Sequence, residues 1–133
     1  MAISNERQPK ILIKISPDLP DSDLKAVAQM SLDKRYGIDG VIISNFTAHR
    51  SQENTGTAVA TTDGFVSGEP LRDISTECIR HFYRHFLIAL TAGKVPIIGC
   101  GGVSSGQDAY DKIRAGASLI QLYSSLLYQG NAY

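Results

Sequence analysis

The run Pro96-Ile97-Ile98-Gly99-Cys100-Gly101-Gly102-Val103-Ser104-Ser105-Gly106 sets an apolar stretch ahead of paired glycines, and a helical segment, Gln107 to Ala115, follows. These residue types suit a phosphate. Glycines let the backbone approach a ligand with no Cβ in the way, and a helix N-terminus adds unpaired N–H groups and a positive dipole end. A second apolar stretch, Gly116 to Tyr123, comes directly afterwards and also ends in polar groups. His81 and His85 stand four apart on a helix, a spacing that suits a metal ion. No carboxylate or third ligand is in register, and Arg80 and Arg84 lie beside them, so both read as solvent-facing and no metal site is expected. Cys78 and Cys100 offer neither a disulfide framework nor metal-ligand spacing, and read as small buried hydrophobes.

The elements that must position these groups alternate along the chain. Ile11 to Ile15 is a short apolar run halted by Ser16-Pro17, which predicts a parallel strand buried on both faces. Helical spacing runs from about Asp21 to Tyr36, with Leu24, Val27 and Ala28 on one side, Asp21, Ser22 and Asp23 at its start and Gly37 at its end. Gly40 to Asn45 predicts a second strand. A long connection rich in Thr, Ser, Gly and Asn follows, from about Phe46 to Asp73, and such loops are usually functional or disordered. A helix from about Ser75 to Thr91, closed by Gly93, carries Ile79, Phe82, Tyr83, Phe86, Leu87 and Leu90 on one face. Strands at Val95–Gly99 and Ser118–Tyr123 flank the helix Gln107–Ala115.

Such β-α alternation implies parallel strands joined by right-handed crossovers. A small doubly wound sheet would gather its ligand groups at one switch point. Here all four strands end in polar or glycine residues: Lys14, Ser44 with Asn45, Gly101 with Gly102, and Tyr123 with Ser124. Barrels collect their sites from several strand ends in this way, so half of a (β/α)8 barrel fits better. The 133 residues make one partial domain, 1–133, by this reading. Thirteen basic and thirteen acidic residues cancel, which gives no basic block and no expectation of a nucleic-acid partner. No apolar run approaches the roughly 20 residues of a membrane span. Met1 to Lys10 shows neither a signal core nor a transit pattern. The cysteine usage favours a reducing compartment.

Five segments in order carry a resemblance to a known family. They are Leu12-Ile13-Lys14-Ile15-Ser16-Pro17-Asp18-Leu19, the pair Ser44-Asn45, Ser67-Gly68-Glu69-Pro70-Leu71-Arg72-Asp73, Ile98 to Gln107, and Lys112 to Tyr123. Together, from about Pro9 to Gly130, they resemble the C-terminal half of the class 2, quinone-linked, membrane-associated dihydroorotate dehydrogenases. The resemblance implies a flavin-binding (β/α)8 barrel that oxidises dihydroorotate to orotate in pyrimidine synthesis, with FMN as cofactor and ubiquinone as electron acceptor. By position it implies FMN contacts from Lys14, Ser44, Ser67 and Gly68. Gly101, Gly102, Tyr123 and Ser124 would take the phosphate through backbone N–H groups and a hydroxyl. Asn45 would hydrogen-bond the orotate ring, and Phe46 stands beside the substrate where the family usually has a threonine. These roles are chemically apt. A strand-end lysine stabilises negative charge on a reduced flavin, and an asparagine offers the donors and acceptor that a pyrimidine edge needs.

The resemblance also implies what these residues do not supply. The family's catalytic base is a serine on a loop of the first half-barrel, with no counterpart here, and its membrane-docking helices and quinone tunnel precede that. Membrane association is therefore expected only through segments absent here, and the isolated chain is expected to be inactive. The helix near Arg84 to Ile88 reads as a few residues longer than usual. Location follows the family: the mitochondrial inner membrane for a eukaryotic chain, the favoured reading, or the bacterial cytoplasmic membrane. The alternative is a non-catalytic FMN- or phosphate-binding remnant whose open sheet edges pair with another chain. A class 1 barrel with soluble acceptors fits the wording of Ser67–Arg72 and Val103–Gln107 less well. Residue by residue, Lys14 as a solvent lysine, the glycine pair as a plain turn, Ser44 and Asn45 as strand-end caps, and Tyr123 as a core aromatic remain open readings.

Overall fold

A computed structural model describes residues 9–49, 64–88 and 94–130. Four strands, β1 (Ile11–Ile15), β2 (Ile38–Ile43), β3 (Ile97–Cys100) and β4 (Leu119–Gln121), form one parallel sheet in chain order. The register sets Ile15 beside Ile43, Ile43 beside Gly99 and Gly99 beside Ile120, so the C-terminal strand ends come level. The strand order never reverses, so this sheet has no switch point of the doubly wound kind.

The helices share one layer. α1 (Asp21–Leu32) packs on β2 and against the segment Phe82–Leu87. α2 (Arg72–His81) packs on β3 and on α3 (Gly106–Ala115). Beneath them Ile15, Val41, Ile43, Ile97, Ile79, Phe82 and Ala28 form the core, every one of them buried. The opposite sheet face carries Leu12, Lys14, Ile42 and Ile98, and Leu12 remains 40 % exposed. The expectation that β1 is covered on both faces is therefore corrected, because the described helices cover one face. A single helical layer over sequentially ordered parallel strands is the build of a barrel wall.

Several element ends differ from the pattern-based expectation. α1 stops at Leu32, four residues short of Tyr36. The Asp33 carboxylate accepts from the Arg35 backbone N–H at 3.0 Å and pairs with its guanidinium, turning the chain before Gly37. No side chain caps the start of α1, although Asp21 and Asp23 lie in its first turn. α2 begins at Arg72 rather than Ser75, since a 3-10 turn at Glu69–Leu71, with Pro70 inside it, feeds directly into the helix. It then widens into a π-helical segment, Phe82–Leu87. A π turn is how a helix takes in extra residues without losing its register to the core, and it falls where the sequence suggested extra length. The expected end at Thr91 and Gly93, the side chains of Leu87 and Leu90, and the middle of the long connection lie outside the described residues. Beyond β4 a short helix, α4 (Ser124–Gln129), appears that the sequence pattern did not predict.

Candidate functional site

At the C-terminal edge of the sheet a cavity of about 740 Å³ opens. Lys14, Ser44, Asn45, Phe46, Ser67, Gly68, Gly101, Gly102, Tyr123 and Ser124 all line it. The ten expected residues, drawn from four strand ends and the Ser67-Gly68 turn, thus meet in one place.

Each wall is fixed by backbone bonds. The Ser44 N–H donates to the Cys100 carbonyl at 2.8 Å and the Asn45 N–H to the Ile15 carbonyl at 2.8 Å, tying the ends of β1, β2 and β3 together. The Ser75 hydroxyl also donates to the Cys100 carbonyl, at 2.5 Å. The Ile43–Ser44 peptide bond is cis. Ser44 is 1 % exposed and its hydroxyl bonds to nothing among the described residues. A buried hydroxyl without a partner costs about 1–3 kcal/mol unless something satisfies it, and this one belongs to a cavity wall.

Lys14 and Glu69 are the charged residues of the lining. The Glu69 carboxylate pairs with Arg72 at 3.1 Å. The Lys14 ammonium pairs with no carboxylate among the described residues; it lies 3.8 Å from Cys100 Sγ. One uncompensated cation at the mouth of β1 therefore favours anionic or electron-rich ligands. Phe46 is 41 % exposed and its ring lies 4.3 Å from that of Phe65. The pair is set by paired backbone bonds between Thr47 and Val66, and the buried Thr47 hydroxyl donates to Asp18 at 2.5 Å. Tyr123 is 72 % exposed, which corrects the reading of it as a core aromatic.

The glycine run needs its glycines. Gly102 has φ +67°, and a Cβ there would lie 2.4 Å from Arg72 Cα. The N–H groups of Gly101 and Gly102 donate to no turn, loop or cap partner among the described residues, and neither do those of Tyr123 and Ser124. The front of α3 behaves differently. The Ser105 hydroxyl accepts from the Asp108 N–H at 3.2 Å, and the Asp108 carboxylate accepts from the Ser104 N–H and the Ser105 hydroxyl. Ser105 and Gly106 do not line the cavity. The sequence-based expectation that this helix end faces a phosphate is thus corrected: it is capped by its own residues.

Behind the cavity lies a buried polar group that pattern reading missed. Lys112 is 0 % exposed, and its ammonium donates to Thr76 Oγ1 at 2.9 Å and to the Arg72 carbonyl at 3.2 Å. Burial pulls its pKa down to about 8. Burial alone would raise the Asp108 carboxyl; the Ser104 N–H, the Ser105 hydroxyl and Arg72 outweigh it and hold it below its usual value. The Ser105-x-x-Asp108 spacing is a capping signature that could have revealed Asp108, and Lys112 follows one helical turn later. His81 is not simply solvent-facing: it bonds Asp21 at 2.9 Å and its ring lies 4.6 Å from that of His85, joining the start of α1 to the end of α2. Among the described residues no three metal-binding side chains come together. Cys78 and Cys100 are buried and unbridged, and burial pushes the Cys78 thiol up to about 11.

Four consecutive parallel strands emptying onto one strand-end cavity, under a single layer of helices, define a portion of a (β/α)8 barrel. The sequence model of the family described as Dihydroorotate dehydrogenase matches residues 1–133. The chain is 49 % identical over 129 residues to the mitochondrial dihydroorotate dehydrogenase (quinone) of Mus musculus, covering 97 % of this chain and 31 % of that protein. Its Arabidopsis thaliana counterpart is 47 % identical, with 99 % and 27 % covered, and the Azorhizobium caulinodans enzyme is 45 % identical, with 94 % and 33 % covered. A crystal structure of the Eimeria tenella enzyme in complex with ferulenol superposes with a TM-score of 0.75 at 38 % identity, covering 92 % of this chain and 30 % of that one. The chain belongs to the dihydroorotate dehydrogenase family. It spans 27–33 % of the length of these curated relatives.

Proposed function

We propose that this chain supplies the FMN grip and part of the substrate wall of a quinone-linked dihydroorotate dehydrogenase, acting in pyrimidine biosynthesis. The observation that carries this reading is the convergence of all ten expected residues on one cavity. The residues present fit the cofactor: the orphaned Ser44 hydroxyl suits a polar ring edge, and the free donors of Gly101, Gly102, Tyr123 and Ser124 suit a phosphate. When bound, FMN supplies the two-electron acceptor that oxidation of dihydroorotate to orotate requires.

The chain's own groups orient and stabilise. Ser67 and Gly68 line the turn against the flavin site, and the Lys14 ammonium holds positive charge at the end of β1, where it favours charge developing on the ring. Asn45 presents a carbonyl and two N–H donors to the pyrimidine. Phe46 replaces a hydroxyl at the substrate edge with a ring braced by Phe65. The proton is taken by a serine outside these residues, and ubiquinone is reached through segments outside them. The two Mus musculus and Arabidopsis thaliana relatives are named mitochondrial, which supports the inner mitochondrial membrane for a eukaryotic chain. Among the described residues no helix is long and apolar enough to cross a membrane.

Flavin absorbance on the purified 133-residue chain, with a dihydroorotate–quinone assay beside it, tests the proposal. The expected result is stoichiometric FMN binding without turnover. Absence of FMN binding, alone and with the complementary half-barrel, would overturn it, and turnover by the chain alone would overturn the assignment of the base elsewhere.

A further inference from the structure

Arg72 does not line the cavity, yet it grips the loop that does. Its Nε lies 2.9 Å from Asp108 Oδ1 and donates to the Gly102 carbonyl at 3.3 Å, while Nη2 donates to the Ser104 hydroxyl at 3.1 Å and to Glu69 at 3.1 Å. Asp108 in turn accepts from the Ser104 N–H at 3.0 Å. The backbone of Arg72 is itself wedged against Gly102, and its carbonyl is held by buried Lys112. Three elements thus converge behind Gly101–Ser104: the start of α2, the start of α3 and the end of β3.

We propose that Arg72, locked by Asp108, is the positioning residue of the phosphate-binding loop, setting the Gly102 and Ser104 backbone from behind without touching the phosphate. This rests on the FMN reading above. A guanidinium has a planar fork that bonds a carboxylate, a carbonyl and a hydroxyl at once. A lysine ammonium is a point charge on a flexible stem and cannot reproduce that geometry. Positioning and direct contact therefore predict different behaviour for the charge-conserving variant.

The test measures affinity for FMN and for riboflavin, which lacks the phosphate, by flavin fluorescence on the chain and on Arg72→Lys, Arg72→Ala and Asp108→Asn. Far-UV circular dichroism reports whether each variant folds. The expected result is that the wild-type chain prefers FMN, and that Arg72→Lys loses about tenfold of that preference while riboflavin affinity changes less than twofold. Asp108→Asn should lose part of it. A folded Arg72→Lys that keeps the wild-type FMN-to-riboflavin ratio overturns the positioning role and leaves the FMN reading standing. A wild-type chain that binds riboflavin as well as FMN overturns the phosphate site itself, and the positioning role with it.

Discussion

Two helix fronts follow the last two strands, and they have opposite fates. α3 opens with Ser105 and Asp108: the Ser105 hydroxyl takes the Asp108 N–H, and the Asp108 carboxylate takes the Ser104 N–H and brings negative charge to the front of the helix. α4 opens with Tyr123 and Ser124, has no side-chain cap and no acid in its first turn, and lines the cavity. Both fronts begin with backbone N–H groups that have no intrahelical partner, although α3 runs for ten residues and α4 for six. What separates them is whether the chain spends those donors on itself. A glycine-rich strand–loop–helix pattern marks a phosphate site only where the capping chemistry leaves donors free. Among the described residues they are left at Gly101-Gly102 and at Tyr123-Ser124, so the proposed grip would run between consecutive strand ends and bypass the front of α3.

The harshest way to break this contrast is Gly102→Ala. The added Cβ would meet Arg72 backbone at 2.4 Å in a left-handed conformation. The loop must move, and a loss of about 3 kcal/mol or more in urea unfolding is expected, with FMN binding lost in the same titration. Ser124→Asp separates the two helix fronts more cleanly. A carboxylate at the start of α4 gives that helix the charge α3 already has, so thermal stability should hold or rise by about 0.5 kcal/mol. FMN affinity should fall at least tenfold, since two anions cannot share one set of donors. Unchanged FMN affinity in Ser124→Asp would place the phosphate elsewhere.

Much of this was legible in the chain. The β-α alternation located all four strands, because short apolar runs between turn residues leave few other options. The strand-end residues were legible because polar groups at four consecutive strand ends have one meeting place. Boundaries were less so. Asp33 reads as one more polar residue in a helix until its carboxylate takes the Arg35 N–H and ends α1. α4 was hidden because six residues carry too little periodicity to register. Lys112 was invisible for a different reason: lysine is almost never fully buried, and only the packing of α2 on α3 encloses it.

That buried lysine predicts a pH signature behind the loop. Its folded pKa, about 8, lies below the ordinary 10.5. Between those values the unfolded chain holds the proton and the folded chain does not, so stability rises with pH across that window. The gain is about 3 kcal/mol by its upper end. Cys78 works against it: burial raises its thiol from 9.0 to about 11, so above pH 9 the unfolded chain ionises first and stability falls. The Lys112 contribution is therefore clearest between pH 8 and 9. Urea midpoints measured there should climb in the wild type and stay flat in Lys112→Met; a climb that survives the substitution would assign it to another group.

The mildest perturbation is the mirror of Ser124→Asp. Ser105→Ala removes the hydroxyl that caps α3 and one of the donors to Asp108. Loss of such a cap costs about 1 kcal/mol, and the chain should melt a few degrees lower. Asp108 keeps the Ser104 N–H and Arg72, so the loop behind Gly102 stays braced. FMN affinity should then remain within twofold of wild type, because Ser105 and Gly106 do not line the cavity. A tenfold loss of FMN affinity with little change in melting would return the phosphate to α3 and erase the distinction between the two helix fronts.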